Sequence, residues 1–588
     1  MGEPAEGGEA APPPFSNVPR GKKNKKIKKK KVAKNAPKPG DPGYLSPTQL
    51  RNARKRRAKQ QKKKELEEGQ TGDDGDDEQN TTKKRRKADS SSGGTAAASG
   101  DDPSLKFLRN PAGAPTVQAA RKYFAPLLDS PTKDKGNAHN AGSKSKFQVH
   151  VGPTAGWRTV AKLAVRPDPA ADPNHKKVII GLFQPQSHTI VSVPNCRAHH
   201  PAINAAVSCL THISNRLGVA AFNDKSGEGY LRYVALAVQR NTGKVQMTLV
   251  WNSGSYDDDK DTGDGKKMVD RLTTELMRVT NFADDDTQAL NTKKKRRRGK
   301  KAREEMVEGT SGDTSKTAAA PPPPFQLHSL WVHYNSQWKH SNAIFDIASP
   351  ASTSWRLVCG PPHVEETLES IGAPHPVALR FPPNVFRQAN LDAFAHIVSA
   401  VRRRIGRFAA EMNSDDNTSD GTKTTTLPSC VELYGGVGTI GLNLIDVVSS
   451  LTSSDENPNN VACFRDSVDA SGWPEETKSR ARYVGKNATA MIEDGQGFLA
   501  KSDVLVVDPP RKGLDGPVLS ALTGSASTAD QLPAPRLVVY VSCGFDAFQR
   551  DCDALLGCGR YELEHAEGHL LFPGSDAIET LAFFVRKD

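Results

Sequence analysis

The chain has 588 residues and a formal charge of +14, split into +22 over the first 375 residues and −8 over the last 213. A basic front joined to an acidic rear indicates a nucleic-acid-facing half coupled to a half with other work. Eight cysteines without a CxxC pair, no apolar run near 18 residues and the acidic start "MGEPAEGGEA" argue against a disulfide framework, an iron–sulfur or structural zinc site, a membrane span and an organelle transit peptide.

Residues 1–103 are low-complexity, with "GKKNKKIKKKK", "RNARKRRAKQQKKKELEE", "GDDGDDE" and "KKRRK". Such a segment buries too little apolar surface to offset its ordering entropy, so disorder is expected. Order begins near "PSLKFLRN". The β-type runs "KFQVHVG", "WRTVAKLAV", "KVIIGLF", "HTIVSV", "YLRYVALAV" and "KVQMTLVW" follow, with one helix, "PAINAAVSCLTHISNRLG", between them. Two more strands are expected in "FQLHSLWVHYN" and "NAIFDIAS", after a lysine- and proline-rich insertion at 282–324. Residues 104–375 thus read as an α+β accessory domain. Its segment 104–281 carries +11 without help from the tails. Within it, Arg158, Lys162 and Arg232 lie among Trp157, Tyr230 and Tyr233, residue types suited to phosphate contact and base stacking.

From residue 376 apolar strands alternate with helical stretches, which predicts an α/β domain over 376–588 with a mostly parallel sheet covered on both faces. "VELYGGVGTIGLNL" reads as a strand, a glycine turn and a helix start; its glycines permit a tight turn and close approach to a ligand. "SSLTSSDENP" places Asp455 at the end of the next strand, where a carboxylate accepts hydrogen bonds from ribose hydroxyls. The full G-x-G-x-x-G spacing is absent, which favours S-adenosylmethionine over a dinucleotide. In "VLVVDPPRKGLD" a strand runs into Asp508 and two prolines stiffen the loop beyond it. "LVVYVSCG" ends another strand on the thiol of Cys543.

Taken in order, "FPPNVFRQAN", "ELYGGVGTIGL", "DPPRKGLD", "YVSCG…RD" and the closing "FPGSDAIETL" resemble the uracil-5 RNA methyltransferases. The resemblance covers the last 213 residues well. It extends more loosely to "GWRTVAKL", "GLFQPQSHTIVSVPNC" and "GEGYLRY", which look like that family's RNA-contacting domain. It implies a Rossmann-like class I methyltransferase domain using S-adenosylmethionine, with Gln388, Tyr434, Thr439, Asp455, Asn487 and Asp508 at the cofactor. It also implies Cys543 as nucleophile and Glu579 as base. The chain departs from the family's pattern at Gly435, where cysteine is common, at Gly544-Phe545 after the nucleophile, and at Ala547 and Ala577.

The implied reaction is 5-methyluridine formation in tRNA or rRNA by a monomer without metal or membrane. A catalytically inactive RNA-binding or chaperone protein that keeps the fold, a cytosine-C5 enzyme and a nucleolar scaffold remain as alternatives. The basic runs suit nuclear or nucleolar import as well as non-specific RNA contact, with cytoplasm or an organelle as the other locations.

Overall fold

A computed structural model describes residues 105–128, 146–171, 177–184, 189–257, 263–282, 325–337, 353–415, 426–494, 497–499, 501–525 and 534–587. The basic segment 1–103, nearly all of the 282–324 insertion and the strand expected in "NAIFDIAS" lie outside the described residues. A 3-10 turn at Pro111–Gly113 leads into helix α1 (Pro115–Leu128) and strand β1 (Gln148–Val151). They do not join the sheet that follows them in the chain.

That sheet is built from β2 (Val160–Pro167), β3 (Val178–Phe183), β4 (Ile190–Ser192), β5 (Leu231–Val238), β6 (Val245–Trp251), β7 (Leu327–Tyr334) and β8 (Trp355–Cys359), in the order β4-β3-β2-β5-β6-β7-β8. Every residue of β6 and β7 is buried, the polar Gln246, Thr248, His328, Ser329 and His333 included. Helices α2 (Pro201–Leu217) and α3 (Asp264–Val279) pack on one face through Ile203, Val207, Leu210, Leu272 and Leu276. Proline at the first position starts α2, and Gly218 in the left-handed region ends it. On the other face, register aligns Lys162 with Ala235 and Ala235 with Thr248.

Burial corrects part of the expected RNA surface. Arg232 is only 2% exposed. It donates to the Asn335 carbonyl at 2.6 Å and lies over the Phe222 ring, because β5 runs between β2 and β6. Tyr233 is buried, its hydroxyl accepting from Arg166, and Trp157 is buried edge-on to Phe572. Arg232, Tyr233 and Trp157 are framework residues. Arg158 and Lys162 do face a cleft of 340 Å³, together with Gln246, Thr248 and the 381–389 segment.

The hairpin of β9 (Val364–Glu366) and β10 (Leu379–Phe381) leads to the long helix α4 (Leu391–Asp415). Buried Arg387 ties this link to the first sheet, donating to the Val238 carbonyl at 2.8 Å and to Glu366 at 2.5 Å. There follow β11 (Ser429–Leu433), β12 (Ser450–Ser454), α5 (Asn459–Asp469), α6 (Glu475–Ser479), β13 (Ala481–Val484), α7 (Ala488–Glu493), β14 (Val504–Val507), α8 (Gly516–Thr523), β15 (Leu537–Ser542), α9 (Phe545–Gly557), β16 (Tyr561–Leu570) and β17 (Glu579–Arg586). The second sheet runs β1-β16-β17-β15-β14-β11-β12-β13. β11 to β15 are mutually parallel, and β17 enters antiparallel between β15 and β16.

This is the Rossmann-like class I methyltransferase fold, widened at one edge by β1. Strand order reverses between β12 and β14 on either side of β11, and open α/β sheets bind ligands beyond the strand ends at such a point. The sequence groups α1 and β1 with the accessory domain, yet both pack on this sheet. β1 pairs in parallel with β16, and Val117, Phe124 and Leu128 of α1 join the core formed by α9 and the sheet.

Candidate active site

The turn after β11 forms around Tyr434, whose φ of 60° places a non-glycine residue in the left-handed region. Its phenol holds it there, donating to Asp515 Oδ2 at 3.1 Å and accepting from the Asp515 amide at 3.2 Å. The expected helix start is instead a short 3-10 turn at Gly441–Leu444. Beneath it lies the buried carboxylate of Glu432, which accepts from the Gly441 amide at 2.8 Å and from Ser453 Oγ at 2.5 Å.

Glu432 also accounts for Gly435. A Cβ at 435 would stand 2.4 Å from Ser453 Oγ and 2.6 Å from Glu432 Oε2. Gly435→Cys is therefore expected to lower stability by about 1–3 kcal/mol, the usual penalty of overpacking. Adding Glu432→Asp, which draws the carboxylate back, should recover part of that loss in the melting temperature.

Burial raises the Glu432 carboxyl to about 7 from 4.5, with the charge of Asp455 adding to the effect and its two hydrogen bonds opposing it. The folded state thus binds this proton more tightly than the unfolded state. Glu432 favours folding at acid pH and opposes it increasingly from pH 4.5 to 7. Glu432→Gln keeps the shape and removes the titration. Its stability relative to the native chain should improve by about 2–3 kcal/mol between pH 5 and pH 8 in urea unfolding. A pH-independent difference would contradict this assignment.

Asp508 follows β14 directly, and its loop is fixed from below by the fully buried Asp551 of α9. Asp551 accepts from the Leu514 amide and the Tyr540 hydroxyl, both at 2.8 Å, and pairs with Arg550. Asp455 follows β12 and is oriented by the amides of Gly436 (3.2 Å) and Asn457 (2.8 Å) and by the Asn460 side chain (3.0 Å). Asn487 caps α7, its side chain accepting from the Ala490 amide.

Cys543 follows β15, and Glu579 opens β17. The two strands pair Ser542 with Thr580, so Cys543 and Glu579 are opposed at the next position outward. A Cβ on Gly544 would meet the Arg511 carbonyl at 2.4 Å, so the backbone after the thiol packs directly on the Asp508 loop. Any side chain at 544 would force these two segments apart. Glu579 is 4% exposed, and its Oε1 finds no hydrogen-bond partner among the described residues. Burial, and then the charge of Asp508, hold its carboxyl well above the ordinary range, while Arg511 opposes them. Asp508 is raised by burial and by Glu432. The Cys543 thiol is pushed up to about 11 by burial and then by Glu579 and Asp508, with Arg511 again opposing.

A cleft of 490 Å³ collects Gln388, Tyr434, Asp455, Asn487, Asp508, Cys543 and Glu579. Thr439 is not on its wall; it sits on the turn and its carbonyl accepts from Asn443. Residues that the sequence reading passed over also line the cleft, notably Phe386, Asn460, Arg511 and Phe572. Arg511 stands inside the quoted "DPPRKG" and was within reach of that motif. Phe386 and Phe572 line the accessory cleft as well, so the two hollows meet at these rings and Gln388.

The donors fit S-adenosylmethionine. Asp455 spends three acceptor positions on its orienting groups, and a carboxylate has about four, which leaves room for a ribose hydroxyl. Tyr434 and Phe386 offer aromatic surface on the same cleft. Among the described residues no helix is long and apolar enough to cross a membrane.

No family model matches the chain. It is 29% identical over 438 residues to an uncharacterised RNA methyltransferase of Protochlamydia amoebophila, covering 74% of this chain and 88% of the relative. A second uncharacterised RNA methyltransferase, from Bacillus cereus, is 24% identical over 474 residues, covering 80% and 77% of the two chains. Among solved structures, the Pyrococcus abyssi tRNA (uracil-54, C5)-methyltransferase in complex with S-adenosyl-L-homocysteine aligns at 18% identity with a TM-score of 0.46. That alignment covers 80% of this chain and 83% of the other.

Proposed function

We propose that the protein is an RNA methyltransferase that moves a methyl group from S-adenosylmethionine to C5 of a uridine in tRNA or rRNA. The observation that carries this reading is the opposition of Cys543 and Glu579 on β15 and β17, at the edge of a cleft that also holds Asp455 and Asp508. The similarity to proteins named RNA methyltransferases supports the coarser part.

C5 of uracil is a poor nucleophile. Cys543, as thiolate, adds to C6 and shifts the ring electrons to C5, dividing one hard step into easier ones. The bound cofactor supplies an electrophilic methyl group to that carbon. Glu579 then takes the C5 proton, the C5–C6 double bond re-forms and the thiolate leaves. Arg511 restrains the rise in both the Cys543 and Glu579 pKa values. The target base must leave its stack to reach the thiol. The hollow holding Arg158 and Lys162 would receive the adjoining RNA, its two cations suiting phosphate contact.

The test is nucleoside mass spectrometry of tRNA and rRNA transcripts incubated with the purified chain and labelled cofactor. Labelled 5-methyluridine is expected. Labelled 5-methylcytidine, or RNA binding without any label, would replace this reading with the cytosine enzyme or the inactive binder.

A further inference from the structure

Strands β1 and β16 bring together three side chains that the proposed reaction does not use. The strands pair in parallel with His150 opposite His569 and Gln148 opposite Glu567. Side-chain alternation therefore sets His150, Glu567 and His569 on one face of the sheet. His150 Nε2 lies 3.2 Å from Glu567 Oε2, and His569 Nε2 lies 3.1 Å from Glu567 Oε1. The two imidazole rings stack with centroids 4.7 Å apart, and the three ligand atoms all fall within 4.8 Å of one another. A tetrahedral zinc ion with bonds of about 2.0–2.1 Å has ligand–ligand edges of about 3.4 Å. The two nitrogen–oxygen spacings already lie within a few tenths of an ångström of that edge, and the two imidazole nitrogens, within 4.8 Å of each other, reach it by a rotation of the exposed His150 ring.

We propose that His150, His569 and Glu567 form a zinc-class metal site that staples β1 to the edge of the methyltransferase sheet. Two imidazoles and one carboxylate select a borderline ion such as Zn²⁺ over Mg²⁺ or Ca²⁺, which take oxygen ligands. His569 and Glu567 form a buried floor with 4% and 12% side-chain exposure, while His150 is 47% exposed and leaves an entry path. The fourth position belongs to water. The linear sequence carries no sign of the site because His150 and Glu567 are 417 residues apart. Two residues beyond β16 stands Phe572, on the wall of the reaction cleft, so the staple would steady a strand that leads into that wall.

The full chain is stripped with a chelator, desalted and titrated with Zn²⁺ alone, and bound metal is counted by elemental analysis after gel filtration. The comparison is His150→Gln, an exposed substitution that can keep a hydrogen bond to Glu567 but loses the metal-binding nitrogen. The native chain should hold one zinc more than the variant, and affinity at this site should fall on the order of 100-fold in the variant. Co²⁺ should give the visible bands of a four-coordinate ion in the native chain only. Zinc should also raise the melting temperature of the native chain and not of the variant. Equal zinc content in the two proteins, or no cobalt bands, would overturn the proposal and leave a hydrogen-bonded His–Glu knot.

Discussion

Glu579→Gln is expected to stop the reaction after methyl transfer, leaving methylated RNA covalently attached to the protein. The amide is close in shape to the carboxyl and cannot take the C5 proton. Because Glu579 Oε1 has no hydrogen-bond partner among the described residues, the exchange breaks no contact at that atom. In the proposed reaction, addition of Cys543 and methylation at C5 both precede proton removal, so both should survive the substitution. Turnover should fall by about 10²–10⁴, the usual contribution of a positioned general base. A slow-migrating RNA–protein species should accumulate on denaturing gels with ordinary RNA. Turnover like the native enzyme's would assign the base to another group. The neighbouring Asp576 is then a poor candidate, since its carboxylate accepts from the Thr116 amide at 2.8 Å and does not line the cleft; Asp508 does.

Cys543→Ala should abolish methylation altogether, because no second thiol lines the cleft. The free protein should also show how costly its thiolate is. With the thiol pushed up to about 11, the thiolate fraction rises about tenfold per pH unit throughout the neutral range. Alkylation of Cys543 by iodoacetamide, followed on its own peptide, should climb at that slope from pH 7 to pH 9. Arg511→Gln removes the opposing charge and should slow it at every pH. A plateau below pH 9 would mean that the resting enzyme already holds the thiolate, against the crowding by Glu579 and Asp508.

Much of the candidate site was legible because Asp455, Asp508 and Cys543 each stand just beyond a short strand. β12, β14 and β15 run as short apolar or small-residue segments into Asp455, Asp508 and Cys543, and a parallel sheet sends all such ends to one edge. Glu579 was readable only through the closing motif, since nothing local distinguishes it from a strand-end carboxylate. Thr439 shares the glycine turn with Tyr434, but the 3-10 turn that follows leaves it off the cleft wall.

The misses have physical causes. Helix α3 was not recognised because its buried stripe, Val269, Leu272 and Leu276, is diluted by exposed residues including Lys266 and Lys267. Strand β8 is short, with only its end residues buried. β1 reads locally as a strand in either sheet, and its partner β16 lies more than 400 residues on. Arg232 looked like a surface cation because alternation reports which face a residue takes, not whether that face is covered. Asn335 and Phe222 cover it.

A covalent bond between Cys543 and the target base should be trapped by 5-fluorouridine RNA. Fluorine at C5 leaves no proton for Glu579 to remove, so the adduct formed after methyl transfer persists. The native chain, incubated with fluorinated RNA and S-adenosylmethionine, should give a denaturation-resistant species with the summed mass of protein, RNA and one methyl group. Trypsin and nuclease digestion should place the modified nucleotide on the peptide Leu537–Arg550, in which Cys543 is the single cysteine. A covalent complex that survives Cys543→Ala, or a native chain that binds the RNA and forms none, would rule out Cys543 as the nucleophile.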